Sequence, residues 1–208
     1  MTISRLGAVV LCGGRGRRMG RCKAWLPIGS EPMLGRVVRL VGTVAGPIIV
    51  VAAEGQDLPL LPAGVLVVRD PVPEGGPLVG LTAGLDALPE GIELAYVTAV
   101  DCPLLVPRWV DRLVERIGPH DVAVPIVEGR RYPLNALYRP GYILPVADSL
   151  LRQGVARPLD LVDSVRSVSL DAEVFGDIDP ELRTLRNVNT PEEYRRALAD
   201  ATGYDHIH

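Results

Sequence analysis

Aromatic side chains are scarce in this chain of 208 residues, which has one Phe, two Trp and six Tyr. Since 48% of it is nonetheless hydrophobic, the core must be built from Val, Leu, Ile and Ala, as parallel strands buried on both faces usually are. An α/β fold is expected. Cysteine is equally sparse. Cys12, Cys22 and Cys102 are odd in number and contain no close-spaced pair, which argues against a secreted disulfide scaffold and makes a reducing cytoplasm the expected setting. No run of about 18 apolar residues occurs, and residues 1–8 lack a charged region followed by an apolar stretch of signal length. A soluble, unprocessed protein without a membrane partner is therefore expected. Nor is there an excess of positive charge: 22 basic against 25 acidic residues leave −3, so nothing argues for sequence-independent binding to nucleic acid. The three histidines, His120, His206 and His208, fall at a helix-end turn and in the tail. None is placed like a catalytic base or spaced as a zinc ligand, and no Ser/His/Asp or Cys/His arrangement points to acyl chemistry.

What is present is a regular alternation of short apolar runs and helical patterns. Residues 6–12 read as a buried strand ending at Gly13-Gly14, and Ser30-Glu31-Pro32 supplies a cap, an early acid and an early proline for a helix carrying Leu34, Val37, Val38 and Val41. Strands follow at 47–52, 65–68 and 94–100, with helices at 78–88 and from Val106 to a stop at Gly118-Pro119. The second half is less regular, with strands predicted at 122–125 and 133–138 and helices at 142–152 and 158–163. Thr190-Pro191-Glu192-Glu193 combines a capping threonine, a first-position proline and a glutamate three residues after the cap, so the last helix starts at Pro191. One domain over 1–201 with a frayed tail at 202–208 is expected. Right-handed crossovers would give a mostly parallel sheet with helices on both faces and place the loops after Gly13, Asp70 and Asp101 along its carboxyl edge.

Three of those loops carry candidate chemistry. Between Gly13 and Lys23, four glycines (Gly13, Gly14, Gly16, Gly20) allow backbone amides to approach a phosphate, and Arg15, Arg17, Arg18, Arg21 and Lys23 can neutralise it. It is neither a G-x-G-x-x-G fingerprint, since Met19 stands at a glycine position, nor a P-loop, since no G-K-[ST] follows. A basic surface loop is the competing reading. Asp101, ending a strand before Cys102-Pro103, could coordinate magnesium bridging ligand phosphates, or could simply form a turn. Asp70 with Glu74-Gly75-Gly76-Pro77-Leu78-Val79-Gly80 could face a base or sugar, or could serve chain reversal alone. Asn187 and Asn189 lie on one face if extended, and could contact ligand or metal. Thr190 and Pro191 are explained by the helix cap, whereas Asn187 is not.

Taken in order, these residues resemble the molybdenum cofactor guanylyltransferases, the MobA-like branch of the nucleotidyltransferases. Leu11-Cys12-Gly13-Gly14 is similar to the family's L-x-G-G, Arg18-Met19-Gly20 to its R-M-G, and Lys23-Ala24-Trp25-Leu26 to its K-x-x-L. Gly76-Pro77-Leu78-Val79-Gly80 is similar to its G-P-L-x-G, Asp101-Cys102-Pro103 to its D-x-P, and Asn187-Val188-Asn189-Thr190-Pro191 to its N-x-N-T-P. The resemblance implies a three-layer, Rossmann-like fold with a mostly parallel, mixed sheet. It implies that Leu11, Cys12, Gly13, Gly14, Gly16 and Lys23 hold the triphosphate, with Arg18, Lys23 and Asp101 catalytic. It places Asp70, Gly76, Pro77, Leu78 and Gly80 by the guanosine, Mg2+ on Asp101, and Asn187 and Asn189 by a phosphorylated pterin acceptor, molybdopterin. GTP is the implied donor, and molybdoenzymes or their chaperones are implied partners. Tyr132 stands where the family leads one to expect histidine before Pro133, and 139–163 shows no clear match to its acceptor side. Two alternatives stay open: a related transferase using CTP or another phosphorylated acceptor, and a non-catalytic protein that senses GTP or docks a molybdoenzyme.

Overall fold

The computed structural model describes residues 5–13, 22–72 and 75–204, with side chains up to residue 201. Its centre is β1 (Leu6–Leu11), whose alternation sends Ala8 and Val10 to one face and Val9 and Leu11 to the other, all buried. β1 pairs in parallel with β4 (Ile48–Ala52) on one side and β6 (Leu94–Ala99) on the other, and β4 pairs in parallel with β5 (Val65–Arg69) at the edge. Beyond β6 the sheet turns mixed. β9 (Ala136–Tyr138) runs antiparallel to β6 and to β7 (Val122–Val127), and β10 (Ser167–Asp171) is parallel to β7. A two-residue strand, β8 (Arg130–Arg131), folds back on β7.

Helices cover both faces. Against Ala8, Val10 and Cys12 pack α1 (Met33–Gly42), α3 (Pro107–Arg116) and α6 (Pro191–Tyr204). Against Val9 and Leu11 pack α2 (Pro77–Asp86), α4 (Pro140–Arg152) and α5 (Pro158–Asp163). The result is the three-layer sheet expected from the valine- and leucine-rich runs. The chain moves outward from β1 to β4 and β5, then returns across β1 to form β6. That reversal opens a crevice at the carboxyl ends of β1 and β6, where open α/β sheets take their ligands.

Three local departures from the sequence pattern have physical causes. The first helix starts at Met33 rather than Ser30, because proline disfavours helical angles in the residue before it. Glu31 and Pro32 instead form β3 (Glu31–Pro32), which pairs with β2 (Pro27–Ile28) through a turn in which Gly29 takes φ 62°. Residues 133–138 are not one strand: Pro133–Asn135 is a 3-10 turn, closed by the Asn135 amide donating to the Tyr132 carbonyl at 3.1 Å, and only then does β9 begin. β10 gave no apolar run in the sequence, since only Leu170 of its five residues is buried at this end of the sheet. The backbone of α6 continues to Tyr204, into the stretch expected to fray.

Candidate active site

Lys23 opens a 3-10 turn (Lys23–Trp25) at the carboxyl end of β1, held by the Leu26 amide donating to the Lys23 carbonyl at 3.1 Å. Its ammonium reaches across the crevice and donates to Asp101 Oδ2 at 3.1 Å and to Asn189 Oδ1 at 2.7 Å. Three motifs separated by up to 166 positions thus meet at one nitrogen. The pair is neither buried nor free, with side chains 19% and 17% exposed, so an incoming anion can reach it without the full cost of a buried charge.

Asp101 is fixed from both sides. Its carbonyl accepts from the Val188 amide at 2.8 Å, which clamps the asparagine segment onto the end of β6. The next turn is held by Arg36 of α1, almost wholly buried, whose Nε donates to the Pro103 carbonyl at 3.0 Å. Arg36 also pairs with Glu31 of the short hairpin, which explains why the acid expected to open the helix lies outside it. Asn189 and Thr190 sit over a reciprocal cap. Their amides donate to Glu193 Oε2 at 2.7 and 2.9 Å, and the Glu193 amide donates back to Thr190 Oγ1 at 3.2 Å. The Asn189 and Thr190 amides hold the Glu193 carboxyl below its ordinary range, although its own burial opposes this.

Beneath the crevice lies a polar layer that sequence reasoning missed. The Cys102 thiol donates to Asn187 Oδ1 at 3.4 Å and lies 3.8 Å from Asp101 Oδ1. Asn135 Nδ2 donates to the same sulfur at 3.5 Å, while Asn135 Oδ1 accepts from Tyr96 Oη at 3.3 Å and Thr98 Oγ1 at 3.1 Å. Burial pushes the Cys102 thiol up to about 12, helped by the Asp101 charge, so it stays protonated and is not a nucleophile. The available sequence signal was two polar residues at i and i+2, Tyr96 and Thr98, on one face of an otherwise apolar strand. Gln56 was missed as well. Its Nε2 donates to the Cys12 carbonyl at 3.1 Å and lies 3.5 and 3.4 Å from the Cys12 and Cys22 sulfurs, so it touches both ends of the glycine-rich loop.

The remaining predicted residues divide by what their atoms are free to do. Arg18, Gly14 and Gly16 lie outside the described residues. Leu11, Cys12 and Leu78 have buried side chains, and the Leu11 carbonyl and Cys12 amide are taken up by Val100 and Val51. Burial pushes the Cys12 thiol up to about 12. Gly13 is the first exposed residue of the loop. Asp70 follows β5, and its Oδ2 lies 4.0 Å from where a Cβ on Gly13 would sit and 3.9 Å from one on Gly80. These three therefore share one corner, separate from the Lys23 contacts. Gly76 has φ 90° and would drive a Cβ to 2.9 Å from Ala156, so packing and backbone angle account for it, while Pro77 is exposed at the first turn of α2.

Chemically, this is a crevice with an ammonium, a carboxylate and two carboxamides at the end of a parallel sheet. Among the described residues no group of three or more His, Cys, Asp or Glu could hold a metal. A cation at Asp101 would therefore have to complete its shell with ligand phosphates and water, the habit of magnesium. Among the described residues, Lys23 is hydrogen-bonded to Oδ2, and the Asp101 Oδ1 edge has the Cys102 thiol beside it. Among the described residues no helix is long and apolar enough to cross a membrane.

Fold and site together define a nucleotidyltransferase of the Rossmann-like class. Residues 8–166 match the MobA-like NTP transferase domain, and the chain belongs to that family. It is 38% identical over 189 residues, 89% of each chain, to the "Probable molybdenum cofactor guanylyltransferase" of Mycobacterium tuberculosis. Among solved structures it is similar to the molybdopterin-guanine dinucleotide biosynthesis protein A of Archaeoglobus fulgidus, with TM-score 0.77 and 21% identity over 95% of this chain and 99% of that one. A Mycobacterium tuberculosis protein crystallised as a complex with manganese shares the fold, with TM-score 0.63 and 19% identity over 93% and 98% of the two chains.

Proposed function

We propose that this protein transfers GMP from GTP to the terminal phosphate of molybdopterin, releasing pyrophosphate. The observation that carries the reading is the convergence of Lys23, Asp101 and Asn189 within 3.1 Å of one ammonium, because it joins the three motifs this activity needs at one point. A phosphate oxygen of the acceptor attacks the α-phosphorus in line, the new P–O bond forms, and the bond to the β-phosphate oxygen breaks. Lys23, with Arg18 from the loop, stabilises the charge gathering on the transferred phosphoryl and the departing pyrophosphate. The acceptor phosphate is already ionised near neutral pH, so no protein base is needed and positioning supplies most of the rate.

Asp101 holds Mg2+ in this reading, a hard cation matched to one carboxylate, phosphate oxygens and water; when bound it neutralises phosphate charge. Asp70 and Gly80 form the guanosine corner, with Gly13 beside them opening the triphosphate loop, while Asn187 and Asn189 face the pterin. The relative from Mycobacterium tuberculosis favours GTP over CTP through its name, and the manganese complex of a fold neighbour favours a divalent ion. The setting is the cytoplasm, and molybdoenzymes or their chaperones receive the product. Asp101→Ala and Lys23→Ala should each abolish pyrophosphate release while leaving the far-ultraviolet circular dichroism unchanged. Wild-type release by either variant would refute the assigned roles.

A further inference from the structure

The polar layer beneath the crevice has no place in the chemistry above, yet it is costly to bury. Tyr96 and Thr98 are wholly buried and Asn135 is 3% exposed, and polar groups so placed demand partners. Each finds one in the others. Two hydroxyls end on Asn135 Oδ1, and from the other end of this amide Nδ2 donates to the Cys102 sulfur. The sulfur in turn faces Asn187 Oδ1 and Asp101 Oδ1, the side of the carboxylate that Lys23 leaves alone. An S–H has a single proton and rotates freely about its C–S bond. With Asn135 donating to the sulfur, that proton is directed towards the two oxygens above.

We infer that Asn135 is a positioning residue of this site, acting through the Cys102 thiol to set the Asp101 carboxylate for a divalent cation carried by the nucleotide and to hold the Asn187 carboxamide beside it. Asn135 touches neither substrate nor metal. It comes from the 3-10 turn (Pro133–Asn135) before β9. The antiparallel part of the sheet thus contributes to the site from below. Outer groups of this kind govern the affinity of the ligands they orient.

The inference rests on Asp101 holding the cation, and the test separates the two. GTP binding is measured by calorimetry with and without MgCl2, and the readout is the gain in affinity that the metal confers. Asn135→Leu and Cys102→Ala should each lower that gain about 10–100-fold while leaving metal-free GTP binding unchanged. Cys102→Ser, whose hydroxyl can also accept from Asn135 and donate to Asn187, should retain it within about threefold. The double variant Asn135→Leu/Cys102→Ala should be no worse than the weaker single, because both changes cut the same path. If Asn135→Leu fails to fold, Cys102→Ala set against Cys102→Ser still decides. A folded Cys102→Ala that keeps the wild-type gain, or losses that multiply in the double variant, would overturn the inference alone. A wild-type protein with no gain from magnesium would overturn the metal reading and the inference with it.

Discussion

Gly80 and Gly84 lie one turn apart on α2, on the face turned to the sheet, and substitution by alanine should separate them completely. A Cβ on Gly84 would lie 2.3 Å from Val9 Cγ1 and 2.9 Å from Val51 Cγ2. Both valines are buried in central strands, and β-branched side chains have little rotamer freedom with which to yield. Overpacking of this kind costs about 1–3 kcal/mol, while the better helix propensity of alanine returns about 1 kcal/mol. With a contact this short the upper half of the range applies, and Gly84→Ala should lose about 1–2 kcal/mol. At this chain length that lowers the midpoint of thermal unfolding by about 2–8 °C. A Cβ on Gly80 would meet Leu11 and Val51 at 3.6 Å and Asp70 Oδ2 at 3.9 Å, all ordinary contacts. Gly80→Ala should therefore keep the propensity gain and raise the midpoint by about 2–4 °C. The same methyl would stand in the guanosine corner, and GTP binding should weaken by about 1.4 kcal/mol or more, tenfold, in a calorimetric titration. A Gly80→Ala protein as unstable as Gly84→Ala would refute the packing argument. A stabilised one that binds GTP like the wild type would remove Gly80 from the nucleotide site.

Two further predictions concern stability. Thr190→Ala removes the acceptor for the Glu193 amide and should cost about 1 kcal/mol, or about 2–4 °C, in thermal unfolding; an unchanged midpoint would mean that the α6 cap contributes nothing. The Asp121 carboxyl is held below its ordinary value of 3.8, chiefly by the hydrogen-bonded Arg166 guanidinium, which outweighs desolvation. A depressed carboxyl contributes stability that is present above its unfolded pKa and lost as pH falls through the folded one. Stability measured in urea should therefore decline as pH drops below about 4, and Asp121→Asn should flatten that decline. An Asp121→Asn protein with the wild-type acid limb would refute the assignment.

The sequence carried most of the sheet because β1, β4 and β6 are buried on both faces, so β1 and β4 read as unbroken apolar runs and β6 as a mostly apolar one. It carried α6 because Thr190, Pro191 and Glu193 form a reciprocal cap that needs no tertiary information. It failed where tertiary context decided: β10 lies at a half-buried edge and shows no apolar run, and the Pro133–Asn135 turn hides inside a strand-like composition. At the site, Lys23, Asp101 and Asn189 were legible because each is a polar residue at an element end. Asn135, Gln56 and Arg36 were not, since each acts on the site through a thiol or a backbone carbonyl distant in sequence. No single-sequence pattern marks such pairs.

The central claim is transfer of a guanylyl group, and the most direct measurement follows the α-phosphate. Protein, MgCl2 and molybdopterin are incubated with GTP labelled at the α-phosphorus, and the products are separated. Label should appear in a pterin–guanosine dinucleotide, in equal amount to the pyrophosphate released, and CTP should not replace GTP. Label recovered only in GTP despite tight binding, or only in free GMP or GDP, would contradict it.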